Sequence, residues 1–197
     1  GGCLTEKFLD TPIDFDNLIA AGSMMGSGGM IVLDEDDCMV NVAKFYLCFT
    51  VEESCGKCTP CREGTKRMLE MLEKISAGKA TEKDLRRLRE LATIIKDTSL
   101  CGLGQTAPNP VLSTLDNFYD EYLAHVRDKR CPAGKCKSLM QYVIDPAKCK
   151  GCTMCAKVCP AGAIAGKVKE PHVISQEKCV KCGACFATCK FGAISKR

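Results

Sequence analysis

Tryptophan is absent from the 197 residues, aromatic side chains make up only 6% of them, and histidine occurs twice. With so few rings there is no surface of interleaved aromatic and basic side chains on which nucleic-acid bases could stack. No apolar run approaches the roughly 20 residues that a bilayer-spanning helix needs, and no secretory leader opens the chain. The glycine fingerprint of a dinucleotide fold, with its later acidic residue, is missing as well. The one glycine-rich stretch, residues 22–29, lacks the Lys-Ser/Thr that completes a phosphate loop, so it reads as turn chemistry. These absences argue against nucleic-acid and membrane partners and lead to the expectation of a cytoplasmic chain. The first residues are Gly1-Gly2-Cys3 with no methionine, as in a processed or trimmed piece of something longer.

What the chain has in quantity is cysteine, 17 residues in all. Secreted disulfide scaffolds are usually shorter, and cysteines two residues apart would be strained as disulfides, so metal ligation in a reducing compartment is the better account. Eight of them lie between Cys149 and Cys189 in two near-copies, Cys149-Lys-Gly-Cys152-Thr-Met-Cys155-Ala-Lys-Val-Cys159-Pro160 and Cys179-Val-Lys-Cys182-Gly-Ala-Cys185-Phe-Ala-Thr-Cys189. Sliding the sequence by 30 residues superposes Val143-Ile144, Lys148-Cys149 and Gly162-Ala163-Ile164 on Val173-Ile174, Lys178-Cys179 and Gly192-Ala193-Ile194, a duplicated unit. Structural zinc pairs two C-x2-C hooks and has no use for a third cysteine at the same step. The run resembles that of bacterial ferredoxins with two 4Fe–4S clusters. Three closely spaced thiolates wrap one cluster, and the fourth, starting a helical turn that points away, reaches the other. Crossed ligation follows: Cys149, Cys152, Cys155 and Cys189 on one cluster, Cys179, Cys182, Cys185 and Cys159 on the next. Lys190 stands where the first copy has Pro160, which removes no ligand. The formal net charge is +4, and residues 143–197 carry ten Lys/Arg against three Asp/Glu. Each oxidised cluster with its four thiolates holds roughly −2, so these lysines offset buried anions.

Upstream, apolar periodicity and capping signals predict four helices, over about 37–49, 59–78, 81–96 and 109–126. Thr59-Pro60 opens the second, Gly78 closes it, a box-like Thr81-Glu-Lys-Asp84 opens the third, and Asn109-Pro110 the fourth. Short connections make neighbours antiparallel, hence a four-helix bundle. Residues 1–35 read as turns at Leu9–Pro12 and Asp14–Asp16, the glycine loop, and a strand at Met30–Leu33. Between the first two helices lies Cys55-Gly-Lys-Cys58-Thr-Pro-Cys61. Up-down topology returns the third helix, with Cys101 at its exit, to the same end, so Cys55, Cys58, Cys61 and Cys101 form a third cluster site. Helix N-termini directed at it favour its negative charge.

Five cysteines remain. Cys131 and Cys136 follow His125 where the fourth helix ends, which suits a Cys₃His zinc site. The topology places Cys38, at the start of the first helix, at that end, and Cys48 at the other, so Cys38 is preferred over Cys48 or Cys3 as fourth ligand. The alternative is a set of free buried thiols.

Glu53-Ser-Cys-Gly-Lys-Cys-Thr-Pro-Cys-Arg-Glu-Gly64 with Cys101-Gly-Leu-Gly104 is similar to the cluster domain of the flavin-carrying, NADH-oxidising subunit of respiratory complex I. With His125, Cys131, Cys136 and the ferredoxin-like tail, the chain more closely resembles the beta subunit of NAD(P)-linked, electron-bifurcating iron-only hydrogenases. The resemblance implies an α+β layout: the end of a β-grasp module (1–35), the helical cluster domain (36–126), a zinc-stapled hinge (127–142) and a two-cluster ferredoxin domain (143–197). It further implies three 4Fe–4S clusters and one zinc ion, with FMN and NAD(P) bound only in an upstream part. Expected partners are the catalytic iron-only subunit, a small 2Fe–2S subunit and ferredoxin. Lys57, Lys150 and Lys181, inside the ligand loops, would raise their clusters' potentials. The same chemistry would serve an NAD-linked formate dehydrogenase subunit, and a non-redox zinc scaffold is the third alternative.

Overall fold

The computed structural model describes residues 1–196, in two compact units, residues 1–138 and 139–196. In the first unit, short α1 (Phe15–Ala20) precedes α2 (Met39–Glu52), α3 (Thr65–Ser76), α4 (Glu82–Thr98), α5 (Gly102–Thr106), α6 (Asn109–Asn117) and α7 (Tyr119–Val126). Helix α2 lies against α3 and α6, α3 against α4, and α4 against α6; α7 touches α2, α3 and α4. Their facing stripes make the core. Val40, Ala43 and Leu47 of α2, Met68, Leu72 and Ile75 of α3, Leu85, Leu88, Ala92 and Ile95 of α4, and Val111 and Leu115 of α6 are all buried. The spacing of three and four residues within each set is that of one helical face.

The helix ends follow the sequence signals. Helix α3 is preceded by a wide π-type turn at Pro60–Gly64, with proline in its first turn, and stops before Gly78, whose φ of 73° no other residue adopts as readily. At the start of α4 the Asp84 carboxylate accepts from the Thr81 N–H (2.7 Å) and O–H (2.9 Å) and from Lys74 Nζ (2.9 Å).

Three expectations change. The fourth expected helix is two, because Phe118 leaves helical geometry at φ −130°, ψ 36°. Within α6, Asn117 Nδ2 donates to the Ser113 carbonyl, and Thr114 Oγ1 to those of Pro110 and Val111. The Asp14–Asp16 turn is instead the cap and first turn of α1, with the Asp14 carboxylate accepting from the Asn17 N–H at 2.8 Å. The expected strand at Met30–Leu33 does not form, and no strand occurs among residues 1–35. Its side chains are exposed and no neighbouring strand pairs with its backbone, which leaves the ladder of a β-grasp module without a partner.

In the second unit four short strands pair across the duplication. Strand β1 (Tyr142–Ile144) runs antiparallel to β4 (Ile194–Lys196), with Ile144 opposite Ile194, and β2 (Ile164–Ala165) to β3 (Val173–Ile174), with Ile164 opposite Ile174. Single-turn helices α8 (Met154–Lys157) and α9 (Ala184–Thr188) pack on each other. The core is small: Met140, Tyr142, four isoleucines and two cysteines, Cys155 and Cys185. An interior this thin depends on whatever its cysteines bind. No helix among the described residues is long and apolar enough to cross a membrane.

Lys74, then the Thr81 donors, hold the Asp84 carboxyl at about 2 against its burial. The folded value lies below the unfolded one of about 3.9, so the stabilisation is complete above that range and is lost as pH falls through about 2. Asp84→Ala is expected to cost about 1–2 kcal/mol at pH 7, with the gap to the parent protein shrinking on acidification, as paired urea melts would read out.

Candidate metal centres

Cys38, His125, Cys131 and Cys136 meet in the first unit, their ligating atoms all within 4.8 Å of one another. Cys38 Sγ lies 3.4 Å from His125 Nε2 and 3.8 Å from Cys136 Sγ, and Cys136 Sγ lies 3.4 Å from the same nitrogen. All four are buried, His125 completely. Cys38 is the residue before α2, and His125 sits in the last turn of α7. The Cys131–Cys136 loop turns back through Gly134, at φ 60°. Below it, Arg127 is paired with Glu82 (2.6 Å) and Lys129 Nζ donates to the Ala80 carbonyl (2.9 Å), fastening the segment to the α3–α4 turn.

The imidazole is oriented. Its Nδ1 stands 2.7 Å from the Glu121 carbonyl, which can only accept, so the proton sits there and Nε2 faces the sulfurs. The Glu121 carboxylate meanwhile accepts from the Met39 N–H (3.1 Å), next to Cys38. Hydrogen bonds from Cys136 and Cys38 push the Cys131 thiol far down. Bonding to Cys131 and Cys136, with burial, pushes Cys38 up, and Cys136 rises to about 12 through Cys131. Burial opposes protonation of His125, yet the Cys131 and Cys38 sulfurs outweigh it and raise its pKa to about 10. Three sulfurs and a nitrogen concentrated on one buried point, sharing protons, fit the donor set of a single tetrahedral ion.

The other cysteines are arranged for something larger. In the second unit one recess is lined by Cys149, Cys152, Cys155 and Cys189, with Ile144, Ile194 and His172. The other is lined by Cys179, Cys182, Cys185 and Cys159, with Ile164, Ile174 and Tyr142. Each recess therefore takes three cysteines from one copy of the repeat and the fourth from the other. Backbone N–H groups reach sulfur in the second, from Ala163 to Cys159 (3.3 Å) and Lys181 to Cys179 (3.4 Å). Burial pushes the Cys155 and Cys185 thiols up, as do neighbouring thiols.

In the helical unit the Cys55–Cys61 loop turns at Gly56 (φ 75°), where Arg62 holds the Gly56 carbonyl at 2.7 Å. Ser54 Oγ lies 3.3 Å from Cys61 Sγ. Backbone N–H groups of Leu100 and Cys61 hold the Cys58 thiol below its usual range, so the residue before Cys101 adjoins this loop. Cys48 is exposed on α2 and Cys3 is half-buried, its N–H donating to Ser113; neither joins a ligand set.

Residues 41–125 match the NADH-ubiquinone oxidoreductase-F iron–sulfur binding region, and residues 141–190 a 4Fe–4S dicluster domain. The chain joins these two iron–sulfur modules. It is 61% identical over 172 residues to the NADP-reducing hydrogenase subunit HndC of Solidesulfovibrio fructosivorans, covering 87% of this chain and 35% of that one. To the F subunit of the NADH-quinone oxidoreductase of Mycobacterium bovis it is 41% identical over 129 residues, 66% of this chain and 29% of the relative. Among solved structures, a chain of an NAD+-reducing [NiFe]-hydrogenase in the H2-reduced state aligns with a TM-score of 0.56 at 33% identity, over 62% of this chain and 20% of that one. The chain spans about a third of the length of the curated relatives it matches.

Two recess-lining residues of the dicluster module escaped the sequence reading. Tyr142 and His172 are related by the same 30-residue step as the cysteines, and each lines the recess headed by the other copy's cysteine loop. One more step along the repeat alignment finds them. Burial, then Cys185, Cys182 and Cys179, pushes the Tyr142 phenol up. Gly151 is the tightest point of the first loop: a Cβ there would lie 2.5–2.6 Å from the backbone of Lys169 and Glu170, at a φ of 65°. Gly151→Ala combines left-handed strain with overlap against main chain that cannot swing aside, and should cost about 2–3 kcal/mol or more. Thermal unfolding of the metal-loaded protein, followed at the iron–sulfur absorbance, checks this.

Proposed function

We propose that this chain is the iron–sulfur electron-transfer portion of a soluble NAD(P)-linked hydrogenase. In that role it carries single electrons between a flavin site elsewhere in the subunit and ferredoxin or partner subunits. The observation that carries the reading is the exchange of fourth cysteines between the two recesses, Cys189 into one and Cys159 into the other. A zinc or disulfide framework gives no reason for it. In this reading Cys149, Cys152, Cys155 and Cys189, then Cys179, Cys182, Cys185 and Cys159, then Cys55, Cys58, Cys61 and Cys101 each hold one 4Fe–4S cluster, while Cys38, His125, Cys131 and Cys136 hold zinc. Bound there, the clusters supply one-electron redox change with little rearrangement.

The protein's own contribution is to set the surroundings. Isoleucines wall both recesses against water, N–H groups of Ala163 and Lys181 stabilise sulfur charge, and Lys150 and Lys181 line the recesses as cations. The zinc site would root residues 127–142 as a linker ahead of the ferredoxin-like domain. Likeness to the NADP-reducing hydrogenase relative supports the hydrogenase reading over a formate dehydrogenase; iron-only catalysis, electron bifurcation and the accompanying catalytic and 2Fe–2S subunits extend it. Likeness to the NADH-quinone oxidoreductase relative supports a second reading, an NADH:acceptor oxidoreductase.

Anaerobically reconstituted protein should contain about twelve irons and about one zinc per chain. Cys55→Ala should lower iron to about eight with zinc unchanged, and His125→Ala should lose zinc with iron unchanged. Iron far below twelve sinks the relay, and surplus iron without zinc would make the Cys38 site a cluster. Hydrogen-dependent NAD(P) reduction by the co-purified complex separates the hydrogenase from the other oxidoreductases.

A further inference from the structure

Ser99 ends α4 two residues before Cys101. It is 5% exposed, and its hydroxyl is buried with no hydrogen-bond partner among the described residues. The rest of the residue is fully engaged. Its N–H donates to the Ile95 carbonyl (3.1 Å) and its carbonyl accepts from Gln105 Nε2 (3.0 Å), so the backbone is pinned from both sides. A buried alcohol left without an acceptor is costly, and each one calls for an explanation, a bound ligand among them.

The surroundings say which ligand. A side chain on Gly104 would begin 2.5 Å from Ser99 Oγ and 3.1 Å from Cys61 Cβ, so hydroxyl and ligand cysteine flank the same point. Glycine at 104 is what lets them approach. On the far side, Ser54 Oγ already touches Cys61 Sγ at 3.3 Å and in turn accepts from the Gly56 N–H at 3.4 Å. The neighbouring Leu100 N–H is directed at Cys58. Ser99 Oγ is thus a buried donor without a partner among the described residues, beside a cysteine of this set.

We propose that the Ser99 hydroxyl donates a hydrogen bond to a sulfur of the group held by Cys55, Cys58, Cys61 and Cys101, and thereby raises that centre's reduction potential. The proposal rests on the cluster reading above and names a tuning residue within it. Reduction places added negative charge on the sulfurs, and a donor directed at them stabilises the reduced form more than the oxidised one. Ser99 acts through the cluster's sulfurs and is a positioning and tuning residue.

The test is an EPR-monitored redox titration of the full reconstituted chain, with iron analysis alongside. In Ser99→Ala the reduced-to-oxidised ratio of one centre at a fixed potential should fall about tenfold, a shift of about 59 mV to the negative, while the two dicluster centres stay put. Iron at the parental level with all midpoints unmoved overturns the proposal and leaves the cluster assignment standing. Parental protein lacking the four irons of this site overturns the cluster reading itself. Should the alanine variant fail to load, Ser99→Thr and Ser99→Val, matched in shape, decide. A threonine midpoint above that of valine supports the hydroxyl, and equal midpoints refute it.

Discussion

In the dicluster unit the backbone between sulfurs two residues apart turns left-handed, and the rest of the unit is built around those turns. In the first copy Gly151 and Thr153 have φ of 65° and 62°; in the second, Lys181 and Gly183 have 58° and 79°. These are the same two positions, 30 residues apart. Each copy places glycine at one and accepts an ordinary residue, at a cost, at the other. Gly162 and Gly192 match as well, both at φ 56°. The duplication has preserved a backbone path more faithfully than it preserved the residues on it.

The two kinds of cysteine set differ in the space they leave. Cys38, His125, Cys131 and Cys136 crowd their ligating atoms within 4.8 Å, with the imidazole held by the Glu121 carbonyl. The recess cysteines instead line two pockets, each completed by a cysteine of the other copy. A single ion needs ligands drawn to a point, whereas a cluster needs them drawn to the corners of a box. The compact site joins the ends of α2 and α7, and the recesses sit between loop and short strand.

Cysteine spacing and the 30-residue repeat made both recesses legible in the sequence, because the order of the cysteines along the chain already pairs each loop with the other copy's last cysteine. The Thr81–Asp84 cap and the stop at Gly78 were readable for the same reason, being local. The break at Phe118 was not: no proline or glycine marks it, and the buried Thr114–Tyr122 hydroxyl contact at 2.8 Å joins the two helices across it. Met30–Leu33 has the composition of a strand, but a strand is a property of two segments, and its own residues cannot supply the second. Ser99 was invisible because serine at a helix end is ordinary; only its burial beside Cys61 sets it apart.

Each half of the dicluster unit lends its last cysteine to its twin, and each half's strands find their partners in the other. A solitary copy of the thirty-residue unit would therefore be an open vessel, missing one wall and one edge. Neither lack can be made good within its own thirty residues; in this chain the twin supplies both.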